Sequence, residues 1–214
     1  MKKSKWYLLA ILFSVIVVQG CGDKLAGPVV TQDGNVLVNS KVISTTQLQG
    51  IQITSAKMII SNVEFVDVSG NSYPINKKPF VTYFEVSGGL SMMIAVFLPG
   101  KSYQKIRFQI HKYEDGDNLQ DPEFNEGPDA NHKYSFIIKG RKNGNYFEYK
   151  SKTAVNMELV LTNPVRIENT QINLTMTIDK FLWFIHGGIE VDPEDPNNEN
   201  IIDNNIRSSF VSVN

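Results

Sequence analysis

The chain has almost no cysteine: a single thiol, Cys21, in 214 residues, which excludes an intrachain disulfide framework. It also has no excess of either charge. With 21 Lys and Arg against 22 Asp and Glu, the basic field that neutralises phosphates is missing, and no nucleic-acid partner is expected. Tryptophan is confined to Trp6 and Trp183. The one long uncharged apolar run, Trp6 to Val18, is shorter than the roughly 20 residues a helix needs to span a bilayer. There is no Gly-rich phosphate loop, no Gly-x-Ser-x-Gly turn and no His-Glu-x-x-His. The three histidines, His111, His132 and His186, are scattered, so no metal-binding pair is spaced along one strand or helix. What remains is 42% hydrophobic and 20% charged residues, a globular composition long enough for one domain with a real core.

The first residues are a separate piece. Lys2, Lys3 and Lys5 precede the apolar run, and Gln19-Gly20-Cys21 follows it, the layout of a secretory signal peptide. Val18-Gln19-Gly20-Cys21 resembles a bacterial lipobox. The resemblance implies cleavage before Cys21, lipidation of its thiol (palmitate or a related acyl chain) and membrane attachment through that lipid. Acyl chains contribute about 0.8 kcal/mol per buried methylene, so several of them anchor a protein durably. Loss of three lysines leaves 18 basic against 22 acidic residues from Cys21 onward, a formal charge of minus four. The expected organisation is a signal peptide over 1–20, a lipidated cysteine and flexible Gly- and Pro-containing tether over 21–35, and a single domain over 36–214.

That domain reads as strands. Ile51, Ile53, Met58, Ile60, Val63, Phe65 and Val66 mark one long strand whose alternation slips near Ser61 and Asn62, which predicts a bulge. Further strands are expected around Val81 to Glu85, Met92 to Leu98 and Tyr103 to Tyr113, with Tyr103, Ile106, Phe108 and Ile110 inward. Tyr134 to Tyr149 forms a hairpin on Asn143-Gly144, a type I′ pair. Val155 to Leu161 follows, then Arg166 to Ile178 with Ile172, Leu174, Met176 and Ile178 inward. Asp179 is placed to cap a turn over Lys180–Phe184, and Ile201, Ile202, Ile206 and Phe210 share one face of a helix. These elements predict an all-β fold, an antiparallel Greek-key β-sandwich of about seven or eight strands with a short C-terminal helix.

Leu98-Pro99-Gly100-Lys101-Ser102-Tyr103, with Ile106-Arg107 beyond it, resembles the strand start of a family of bacterial envelope lipoproteins with an uncharacterised all-β domain. Ile60-Ser61-Asn62-Val63 before it and the closing Trp183-Phe184, Val191-Asp192-Pro193 and Asn204-Asn205-Ile206 are similar to that family too. The resemblance implies a sandwich without catalytic residues to carry over, in the cell envelope of a Gram-negative, often Bacteroidota-like, bacterium. Gly22 and Asp23 after the cysteine do not decide the membrane, and the outer one is expected over the inner.

Two features invite a site. Asp115, Asp117, Asp121, Glu123 and Glu126 put carboxylates at offsets 1, 3, 7, 9 and 12 of a twelve-residue window. Calcium takes six to eight such oxygens. Leu119 and Gln120 break the EF-hand pattern, so the expectation is a looser calcium site on Asp115, Asp117, Asp121 and Glu126 that orders the loop 114–131. The second acidic stretch, Asp192 to Glu199, reads as a helix lead-in. The aromatics Tyr134, Phe136, Tyr146, Phe147 and Tyr149, with Phe80, Tyr83 and Phe84, offer sugar-stacking faces, although the pleat turns about half of them inward. The resulting expectation is a non-catalytic, membrane-anchored module that binds an envelope protein or a glycan through its loops. A calcium-dependent module is the alternative. A hydrolase using loop carboxylates is a weaker one, because exposed Gly- and Pro-containing loops do not desolvate an acid.

Overall fold

The computed structural model describes residues 33–168 and 170–214. The signal peptide, Cys21 and most of the tether lie outside the described residues. Among those described, the chain runs β1 (Gly34–Ile43), β2 (Ile51–Asp67), β3 (Ser72–Asn76), β4 (Phe80–Phe84), β5 (Leu90–Leu98), β6 (Ser102–Ile110), β7 (Phe136–Lys142), β8 (Asn145–Ser151), β9 (Val155–Arg166) and β10 (Ile172–Asp179). The short strands β11 (Ile185–His186) and β12 (Ile189–Glu190), the helix α1 (Glu199–Ser208) and β13 (Phe210–Val213) complete it. No helix among the described residues is long and apolar enough to cross a membrane.

One sheet has the order β13-β10-β1-β5, and a larger one runs β8-β7-β2-β6-β9 with β3 and β4 also on β2. Their inner faces share one apolar core, which makes the all-β sandwich expected from the alternation. The strands are more numerous than the sequence count, and one pairing is parallel, β1 with β10. A parallel neighbour needs a crossover connection. Here nearly the whole larger sheet supplies it in place of a helix.

The long strand β2 organises the larger sheet. Over Lys57 and Met58 it lies between β7 and β4, and over Glu64 to Val66 between β6 and β3. The change of partner falls at the predicted slip. Asn62 has φ +51°, and the β6 register skips from Ser61 to Glu64. Asn143 and Gly144 both have positive φ, as a type I′ turn requires.

The core is aromatic at one end. Trp183 is fully buried, meets Phe136 edge-on at 5.5 Å and donates its indole N–H to Ser209 Oγ at 2.9 Å. Phe184 meets the Phe147 ring in the same way at 5.6 Å. Such pairs contribute about 0.5–1.5 kcal/mol beyond their burial. Asp179 takes the Phe181 N–H as predicted, and it also accepts from Thr45 Oγ1 and N–H, tying the β1–β2 connection to the end of β10. Ile202 and Ile206 turn α1 onto the core. A second, smaller cluster of Ile59, Phe124, Tyr134 and Ile137 lies under the 111–135 segment.

Candidate functional site

The two ends of the sandwich differ. At the end where the chain enters, Gly34 pairs with Leu98, and the turns after β2 and β5 close tightly. Asp67 fastens the first of these. Its carboxylate accepts from the Ser69 and Asn71 N–H groups, the Asn71 amide and the Tyr73 hydroxyl. The Asn71 side-chain bond leads the set that holds its pKa down to about 2.

At the opposite end lies an open cleft of about 850 Å³, within the size range of ligand sites. Its walls are the β1–β2 connection (Ser44, Gln47 to Gly50), the first residues of β2 (Ile51 to Thr54), the β4–β5 connection (Glu85 to Ser87), the β7–β8 turn (Arg141, Asn143, Gly144) and Lys180. Hydrogen bonds hold these walls in place. Glu190 accepts from the N–H groups of Gln49 and Gly50, the Asn143 N–H donates to Gly50 O at 2.8 Å, and Lys180 Nζ donates to Val86 O at 2.6 Å. The Ser87 hydroxyl and N–H bond the Glu85 carboxyl and hold it below the usual carboxylate range. That stabilises the anion, the opposite of what a general acid requires. The lining therefore combines amides, two cations, one ionised carboxylate and the apolar Leu48 and Val86.

Compared with known proteins, no family model matches the chain and no curated protein does. Among solved structures, MbnP from Methylosinus trichosporium is similar at a TM-score of 0.45 and 11% identity, over 78% of this chain and 86% of that one.

The acidic loop lies elsewhere, laid across the outer face of the larger sheet, and its carboxylates are separated by cations. Asp121 and Glu123 share Lys57 Nζ at 2.7 and 2.5 Å. Glu123 and Glu148 share Lys139, and Glu148 and Glu126 share Lys150. The result is an unbroken alternation Asp121-Lys57-Glu123-Lys139-Glu148-Lys150-Glu126. Lys139, then Lys57, bond Glu123 and hold its pKa down to about 2. The same bond pushes Lys139 up. Asp121 also accepts from Tyr83 Oη and caps the Glu123 N–H. Asp115 pairs with Lys133 at 2.6 Å, and Asp117 takes the His111 ring nitrogen at 2.9 Å and the Glu114 N–H. The four carboxylates read from the sequence as calcium ligands are thus each engaged with a different side chain, Lys133, His111, Lys57 and Lys150. Among the described residues no three His, Cys, Asp or Glu side chains are grouped to hold a metal.

The other candidates are also dispersed. His111 is buried beside Asp117, His132 is exposed beside Asp129, and His186 is exposed on β11. Asp192 to Glu199 is the lead-in to α1, with Asp195 accepting from the Asn197 N–H. Of the hairpin aromatics, Tyr134, Phe136, Phe147 and Tyr149 are buried and Tyr146 is exposed, as is Tyr83. Sequence reasoning passed over the cleft. Its one signal there is Gln47-Leu48-Gln49-Gly50-Ile51-Gln52, three amides in six residues beside a strand start.

Proposed function

We propose that this chain is a lipid-anchored bacterial envelope protein, held at the outer membrane through Cys21, whose β-sandwich is a non-catalytic binding module with its ligand site in the end cleft. The observation that carries this reading is the position of the cleft. It opens at the end of the sandwich opposite Gly34, where the chain leads back toward Cys21. A tethered domain presents that end to its surroundings. The chemistry of the lining supports binding over catalysis, since its Glu85 carboxyl is stabilised as the anion and catalytic acids are tuned the other way.

The anchor and the site are tested separately. Cys21→Ser is expected to move the protein from the membrane to the soluble fraction and to abolish the acyl mass on the mature chain. Unchanged fractionation would refute the anchor. For the site, panels of envelope glycans and peptides are expected to yield a ligand whose binding weakens at least tenfold in Ser87→Trp, which fills the cleft. A ligand indifferent to that change binds elsewhere. Calcium at millimolar concentration is expected to leave the melting temperature unchanged, because Asp115, Asp121 and Glu126 are each paired with a lysine and Asp117 is bonded to His111. A rise that disappears in Asp117→Ala would favour the calcium-dependent module instead.

A further inference from the structure

The cleft exists because two neighbouring strands have unequal lengths. β4 pairs with β2 only from Ala56 to Ile60, whereas β7 accompanies β2 from Ile51. Over Ile51 to Ser55, β2 therefore has a strand on one side and, among the described residues, none on the other. Two observations fix which backbone groups face the open side. Gly50 O receives the Asn143 N–H on the β7 side. The Gln52 carbonyl lies against Gly140 of β7, where a Cβ would strike it. Since backbone groups alternate along a strand, Ile51 and Ile53 turn their N–H and C=O groups the other way, into the cleft. Their side chains point into the core, only 6% and 8% exposed, so the strand is held in place while its edge stays open.

Resting on the reading of this cleft as the binding site, we propose that its ligand is an extended peptide, four or five residues long, that adds as a strand to Ile51–Ser55 in the lane beyond the end of β4. A five-residue strand is about 17 Å long and fits a cleft whose lining runs from Ile51 to Thr54. Backbone bonds to Ile51 and Ile53 supply sequence-independent affinity, the usual chemistry of β-augmentation. Arg141 and Lys180 against Glu85 make the lining net positive within a mature chain of formal charge minus four. The favoured peptide is therefore acidic.

The probe is a random heptapeptide phage library panned on the Cys21→Ser chain, with a glycan array run in parallel. Selected peptides are expected to be acidic and to slow amide exchange at Ile51 and Ile53. They should lose at least tenfold in affinity when N-methylated at alternate positions, and a similar factor in Ile53→Pro, which removes a donor from the open edge. Should that variant misfold, the N-methylated peptides carry the test alone. Peptides that bind without protecting those amides, or that tolerate N-methylation, overturn the proposal. A glycan lost in Ser87→Trp also overturns it and leaves the cleft reading intact. If no ligand of either class is sensitive to Ser87→Trp, both readings fail.

Discussion

Gly140 sits in the interior of β7, and its missing side chain is a packing requirement. A Cβ there would come within 2.7 Å of the Phe147 ring on the neighbouring strand and would press on the Gln52 carbonyl. Neither backbone nor a core phenylalanine can retreat cheaply. Gly140→Ala is expected to destabilise the fold by about 1–3 kcal/mol, read as a fall of about 2–4 °C in melting temperature per kcal/mol for a domain of this size. An unchanged melting temperature would mean that the strand pair has slack. A second residue-scale test concerns the buried bond between Tyr149 and α1. Tyr149 Oη donates to Asp203 Oδ1 at 2.7 Å, and Thr153 Oγ1 donates to the other carboxylate oxygen. Desolvation, with the Asp203 charge beside it, pushes the Tyr149 phenol pKa up. Tyr149→Phe keeps the ring and strips one donor from a buried carboxylate, a loss of about 1–3 kcal/mol. Removal of Tyr149 and Asp203 together should cost less than the sum of the two single changes, which a double-mutant cycle measures directly.

At the scale of the element, the acidic loop is fastened to the sheet by alternating charge, and this fixes how it responds to pH. Glu123 is held at about 2, below its ordinary value of 4.5. A carboxyl depressed in the folded state adds stability that is complete above 4.5 and is lost as pH falls from there toward 2. Glu123 is more than a third exposed, so each of its pairs is worth under about 1 kcal/mol. The expected result is local: amide exchange and proteolysis across 114–131 rise as pH drops through that window, while Trp183 fluorescence still reports an intact core. Glu123→Gln should loosen the loop at neutral pH and flatten its pH response. An unaltered loop in that variant would show that the apolar seat of Phe124 alone holds it. The sequence carries half of this arrangement. The carboxylate spacing is visible in a twelve-residue window, but Lys57, Lys139 and Lys150 come from three separate strands and meet the loop only when register sets them on one face. The same division runs through the fold. The inward row Ile172, Leu174, Met176 and Ile178, the bulge at Asn62 and the turn at Asn143-Gly144 are local patterns and were readable. The pairing of β1 with β10 joins residues more than 130 positions apart, and no local pattern records it. The cleft is harder still to read, because it is made by where β4 stops relative to β2, a difference in length and not a residue motif.

At the scale of the whole molecule, the proposed anchor would make the sandwich a spacer as well as a core. β1 enters at Gly34 and runs ten residues to Ile43 at the cleft end, about 33 Å along one strand. On the anchor proposed above, with a lipid on Cys21, that length would set the cleft end apart from the bilayer. The residues from Cys21 onward carry a formal charge of minus four, which would act in the same sense, since anionic headgroups repel that sign and give the domain no electrostatic reason to lie flat. The consequence can be measured on the full lipidated protein in vesicles that carry an energy-transfer acceptor in their headgroups. A donor fluorophore at Lys101→Cys, on the turn beside the entry point, is expected to transfer strongly. The same fluorophore at Ser87→Cys, on the cleft wall, should transfer weakly, and added anionic lipid should widen the gap. Equal transfer from the two positions would mean that the sandwich lies along the membrane, with the cleft reaching ligands at the lipid surface and not in the space beyond it.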